Sequence, residues 1–193
     1  MKAVQKIIAL LLIVAAFHGT ASAERTIDKE EDAKVIYAQA KAFVARYKMS
    51  VPRDVIMRFE TRDQIKADYS RSGRSGEHTL AYYQPHSPEC ICIPEGLEET
   101  EFFATAVHEL THAWQSSECP IQDRGVVEGA AYWMTSKAYA QKGRTDRAVR
   151  CLNRCSGTDP IECKVATKLE LLYREKGIDE VIKYLKTTTR YAE

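Results

Sequence analysis

Two histidines four residues apart, His108 and His112, with a glutamate directly after the first, give the run His108-Glu109-Leu110-Thr111-His112. On an α-helix residues i and i+4 lie on one face about one turn apart, so both imidazoles can reach a single metal ion. Glu109 is turned by about 100° from His108, which sets its carboxylate beside the ion, where it can take a proton from water. This is the pattern of a zinc site that hydrolyses amide bonds. Catalytic zinc usually takes three protein ligands and keeps one position open, so a third ligand is required.

The histidines do not supply it. Of the five in the chain, His18 lies near the N-terminus and His78 and His86 fall upstream in loop or strand. The longer pattern H-E-x-x-H-x-x-G-x-x-H is absent, because Gln115 and Glu118 stand three and six places beyond His112. A downstream carboxylate must complete the site, and Glu128 is the leading candidate. It sits in the otherwise apolar stretch Val126-Val127-Glu128-Gly129-Ala130-Ala131-Tyr132-Trp133, where an unpaired carboxylate would be costly and a zinc ion would neutralise it. Gly129, Ala130 and Ala131 would let this helix approach the first closely. The other reading open to Glu128 is a carboxylate near a helix N-terminus, interacting with the dipole. Glu118 follows the motif too soon to sit on a second helix.

The elements that must hold these residues are legible around them. Residues 98–116 form an uninterrupted helical pattern, with Phe102, Phe103, Ala106, Val107, Leu110, Ala113 and Trp114 as its apolar positions. Residues 126–141, 146–153, 160–176 and 178–186 read as further helices, punctuated by Gly143, Gly157 and Gly177. Helical spacing makes Trp114 and Trp133 core residues. Upstream, residues 79–83 and 90–93 read as two strands joined by a turn through Pro85 and Pro88, a hairpin that could wall a substrate cleft. An amphipathic helix is expected over 28–47, a strand over 55–59 and a loop over 70–77. The class is α+β: an N-terminal helix, a small sheet and a helical C-terminal half.

The N-terminus has a charged start with Lys2 and Lys6, an apolar run over 7–17 and an Ala21-Ser22-Ala23 ending, the layout of a secretory signal peptide. The apolar run is too short to span a bilayer, which takes about 20 residues. Cleavage after Ala23 is expected, leaving a single domain over 24–193 in a secreted or periplasmic protein with no stable membrane association. Without Lys2 and Lys6 the 28 basic residues become 26 against 27 acids, a near-neutral balance with no general attraction to nucleic acid. The six cysteines, Cys90, Cys92, Cys119, Cys151, Cys155 and Cys163, all lie in the exported part and read as disulfides rather than a thiolate metal site. Cys90 and Cys92 share one face of a strand, so each is expected to seek a distant partner.

The runs His108 to Trp114, "HELTHAW", and Glu128 to Trp133, "EGAAYW", resemble those of the gluzincins, zincin metallopeptidases whose third ligand is a glutamate on the next helix. The similarity is to small zincin-like domains known as stand-alone bacterial proteins and as the peptidase module of plant ubiquitin-activated growth regulators, and it covers about 79–139. The resemblance implies a zincin-like fold, zinc on His108, His112 and Glu128, and Glu109 as catalytic base. In thermolysin-like gluzincins an aspartate four residues after the ligand glutamate orients the first histidine. Tyr132 stands there in this chain, so another group must hold His108.

The activity so implied is zinc-dependent hydrolysis of a peptide or protein substrate, with Glu109 moving the proton and Tyr83, His78 or Tyr132 as candidate donors to the oxyanion. The rival is a non-catalytic, zinc-stabilised, disulfide-bonded secreted binding protein. Glu109 separates them, since a structural site has no use for a base there.

Overall fold

The structure, a computed structural model, describes residues 24–51, 54–71, 81–85, 88–153 and 160–190. The expected signal peptide, His78, His86, Cys155 and Gly157 lie outside the described residues. In chain order the strands are β1 (Thr26–Ile27), β2 (Ile56–Glu60), β3 (Tyr82–Gln84), β4 (Cys90–Pro94) and β5 (Leu97–Glu98). The helices are α1 (Glu30–Arg46), α2 (Arg62–Arg71), α3 (Glu99–Glu118), α4 (Arg124–Gln141), α5 (Thr145–Leu152), α6 (Pro160–Lys176) and α7 (Ile178–Thr187). The class is α+β and mostly helical. No described helix is long and apolar enough to cross a membrane.

Each expected helix and strand is present within a few residues of its expected bounds, and the loop expected over 70–77 lies, from residue 72 on, outside the described residues. One helix was not anticipated. The segment after β2 forms α2, begun by a reciprocal cap in which the Gln64 backbone N–H donates to Thr61 Oγ1 at 3.2 Å and the Thr61 N–H donates to Gln64 Oε1 at 2.8 Å. That helix overlaps the start of the loop expected over 70–77. Gly143 and Gly177 end helices with φ of 75° and 81°, which a side chain would make costly.

The three-stranded sheet runs β2-β4-β3, with β2 parallel and β3 antiparallel to the central β4. Alternation along β4 divides its side chains. Ile91 and Ile93 face the main core, whereas Cys90 and Cys92 face a small cluster with Ile65 of α2 and Tyr82. The two sulfurs lie 3.9 Å apart, so these cysteines meet each other rather than distant partners.

The main core lies between α1, the sheet and α3 to α7. Helix α1 buries Ala33, Ile36, Tyr37, Ala40, Phe43 and Val44 there, which makes it part of the fold. Phe43 meets Phe103 edge-on at 5.5 Å, and Tyr47 meets Trp133 at 5.8 Å. Trp114 and Trp133 are both fully buried, as their helical spacing requires. Helix α3 starts directly after β5. The Glu99 N–H donates to the Arg25 carbonyl at 2.9 Å, and the Thr100 N–H to Glu24 Oε1 at 3.0 Å, so the N-terminal segment satisfies two donors that the helix itself leaves open.

Candidate metal centre

Helix α3 turns its apolar positions toward the core, and the remaining stripe carries His108, Glu109 and His112 toward β3 and α4. The two imidazoles lie with ring centroids 4.7 Å apart and nearly perpendicular, as expected one turn apart on a single face. Glu128 projects from the second turn of α4, a helix capped by Asp123, whose carboxylate accepts from the Val126 N–H at 2.9 Å. Glu128 Oε2 is 3.5 Å from His108 Nε2 and 3.8 Å from His112 Nε2. The structure therefore brings together the three residues singled out as ligands, with their donor atoms all within 4.8 Å of one another.

These donors suit a cation. Two ligand atoms bound about 2.0–2.1 Å from one tetrahedral ion stand roughly 3.3 Å apart, so the 3.5 and 3.8 Å from Glu128 to the two imidazoles need to close by only a few tenths of an ångström. The far side of each ring is also prepared. The Thr135 hydroxyl donates to the Ala131 carbonyl at 2.8 Å, which leaves its oxygen to accept from His108 Nδ1, 3.2 Å away. His108 is thereby held with Nδ1 protonated and donating to Thr135, its Nε2 turned to Glu128. The contact from His112 Nδ1 to Gln115 Oε1, at 3.3 Å, has the same sense.

Tyr132 packs its ring edge-on to His108 at 5.3 Å, and Thr135, one turn further along α4, makes the hydrogen bond. Sequence reasoning missed Thr135 and Gln115. Helical spacing alone would have put Thr135 on the Glu128 face, seven residues on.

Gly129 has a different role from the one expected. A Cβ there would lie 2.5 Å from Val165 Cβ and 2.8 Å from the Glu162 carbonyl, so the bare backbone permits close packing against α6 rather than α3. Gly125, one turn earlier, would meet Ile161 of α6 at 2.4 Å.

The electrostatics divide the carboxylates. Burial pushes Glu109 up to about 7; the nearby His108 and the N–H of Tyr83 on β3 pull it down, and the Glu128 charge adds to the rise. Burial also opposes the charge on Glu128, but the hydrogen bond to His108 and the charges of His112, His108 and Arg124 prevail and hold it at about 2. Burial, with the charge of His108, lowers His112 to about 4, so its imidazole is neutral at pH 7. One carboxylate is thus fixed as an anion beside two nitrogen donors, and the other is poised near neutrality.

The group opens into a cleft of about 740 Å³. One wall is β3, where Tyr82 and Tyr83 line the cleft with Ala81 and Pro85. Beyond the histidines, Pro120, Ile121 and Gln122 line one stretch, and Ala104, Tyr139 and Cys151 line another. Among the expected oxyanion donors, Tyr132 and Tyr83 border the cleft, the Tyr83 hydroxyl lying beside Ser116 and Glu89, and His78 is outside the described residues.

The class defined by this geometry is an α+β protein with a His108, His112 and Glu128 group able to hold a metal ion. Comparison with protein-family models, curated proteins and solved structures found no match.

Proposed function

We propose that the protein is an exported zinc metallopeptidase of the zincin type, gluzincin in its ligand set, acting on peptide or protein substrates. The observation that carries this reading is the convergence of His108, His112 and Glu128 at ligating distance with Glu109 buried beside them in an open cleft. A zinc ion bound there would supply Lewis-acid polarisation of a carbonyl and acidification of water.

The chain's own residues do the rest. His108 and His112, held through Nδ1 by Thr135 and Gln115, present Nε2 to the ion together with the Glu128 carboxylate. Glu109, buried beside the imidazoles, accepts the proton from the attacking water and returns it to the departing amine. Among the described residues β3 pairs with β4 alone, and it lines the cleft, which favours an extended peptide lying alongside it. Ile121, almost fully exposed at the rim, offers an apolar contact to such a chain. A binding protein with structural zinc would have no need for a buried, proton-accepting Glu109, which sets the catalytic reading ahead.

The proposal extends to export behind residues 1–23 and to disulfide formation among the six cysteines in the oxidising compartment. Thiol counting on the denatured, unreduced protein tests the latter, and six free thiols would refute it.

The decisive experiment measures zinc stoichiometry in the purified chain and in a folded Glu128→Ala variant, then peptide-library cleavage by the parent. One zinc in the parent, weaker binding in the variant and metal-dependent cleavage are expected. A parent that takes up no zinc overturns the reading. A zinc-loaded parent inert toward all peptides leaves the zinc-stabilised binding protein.

A further inference from the structure

The hydrogen bond behind His112 does not end at Gln115. Gln115 Nε2 donates to Gln122 Oε1 at 3.1 Å, and Gln122 Nε2 donates to two backbone carbonyls, Leu185 at 2.6 Å and Thr188 at 3.0 Å. These carbonyls belong to the last turn and C-cap of α7, where helix geometry leaves acceptors without intrahelical partners.

A carbonyl oxygen only accepts, and that property orders the whole chain of bonds. Gln122 must aim its amino group at Leu185 and Thr188, so its oxygen faces Gln115. Gln115 must then give its amino group to Gln122, so its oxygen faces His112. An acceptor facing Nδ1 requires that nitrogen to carry the proton, and the Nε2 lone pair is left for the ion. Flipping either amide would set donor against donor or acceptor against acceptor at one of the joints.

The far anchor is firm. Leu185 is fully buried in the main core, the Asp123 N–H donates to the Thr189 carbonyl at 2.8 Å, and Lys186 pairs with Glu118 at 2.8 Å. The connection between the two ligand-bearing helices is thus tied to the end of α7 at three places.

We infer that Gln122 is a positioning residue, and that through the Gln115–Gln122 relay the end of α7 sets the tautomer of His112 and hence the affinity of the metal site, although no atom of α7 reaches it. The inference about affinity rests on the metal-site reading above, whereas the statement about tautomer concerns the metal-free protein alone.

The test replaces Gln122 by methionine, which keeps length and packing but neither donates nor accepts as an amide does. Zinc affinity is read by competition with a chromophoric chelator, and the tautomer of His112 by nitrogen-15 NMR of the metal-free imidazole. Expected are a single Nδ1–H tautomer in the parent, mixed tautomers in Gln122→Met, and a fall in zinc affinity of about tenfold, the lower end of what loss of an outer hydrogen bond to a ligand causes. Adding Gln115→Glu should restore both readouts, because a carboxylate can accept from Nδ1 without being held by the relay. Parent-like tautomer and affinity in Gln122→Met would overturn the inference. If the parent binds no zinc, the metal-site reading has failed, and the tautomer comparison still decides the relay. If Gln122→Met does not fold, Gln122→Ala at this half-buried position breaks the same link while leaving Gln115 in place, and is read in the same way.

Discussion

Thr135 Oγ1 stands 3.2 Å from His108 Nδ1, and the same hydroxyl spends its proton on the Ala131 carbonyl one turn back in α4. Both Glu128, the candidate third ligand, and the group that orients His108 therefore come from a single helix. Thr135→Val removes the acceptor while keeping the shape. Zinc affinity should fall by about tenfold with little change in the circular dichroism spectrum. Thr135→Asp, if it folds, should bind at least as tightly as the parent, and a chelator competition titration on the three proteins checks the order.

Glu109→Gln should retain one zinc and lose hydrolysis. A positioned base contributes about a hundredfold or more, so kcat/KM should drop by at least that factor. Undiminished cleavage by this variant removes Glu109 from the mechanism.

Glu170 carries a pH dependence that owes nothing to metal. Its burial opposes ionisation, but Lys137, the Trp133 indole N–H at 3.0 Å and Arg174 at 2.7 Å together hold its pKa below 4.5. A carboxyl depressed in the folded state contributes stability that is present above its unfolded pKa and lost as pH falls through the folded value. Glu170→Gln should cost about 2 kcal/mol at pH 7, the scale of hydrogen bonds to a charged group, and less in acid below 4.5. Urea melts at the two pH values check both parts.

Gly129→Ala should destabilise by about 1–3 kcal/mol, because its Cβ would lie 2.5 Å from Val165 Cβ across the contact between α4 and α6. Val165→Ala in the same chain should recover part of that loss. Additive losses in a double-mutant cycle would show that the two residues do not meet.

How much of this was readable beforehand divides along a physical line. His108, Glu109, His112 and the helix beneath them are local in sequence, and periodicity reports them directly. Glu128 was reachable because a carboxylate in an apolar helix demands an explanation. Helix α2 was also within reach, since Thr61-Arg62-Asp63-Gln64 has the residue types of a reciprocal cap, but its few apolar residues gave no stripe to notice. The partners of Gln115 and the neighbour of Gly129 are tertiary facts. Spacing states which face of a helix a residue occupies and is silent on which other helix comes to meet it. Cys90 and Cys92 show the same limit, as a shared strand face was legible and the identity of what covers it was not.

Helix α3, which carries His108, Glu109 and His112, is held from both directions along the chain. At its start it leans on Glu24 and Arg25, and just past its end the following loop is fastened to Leu185, Thr188 and Thr189. A ribosome making this protein releases the first of these supports early and the last only after some 160 further residues. The two sets of supports that hold α3 are therefore completed only late in the synthesis of the chain.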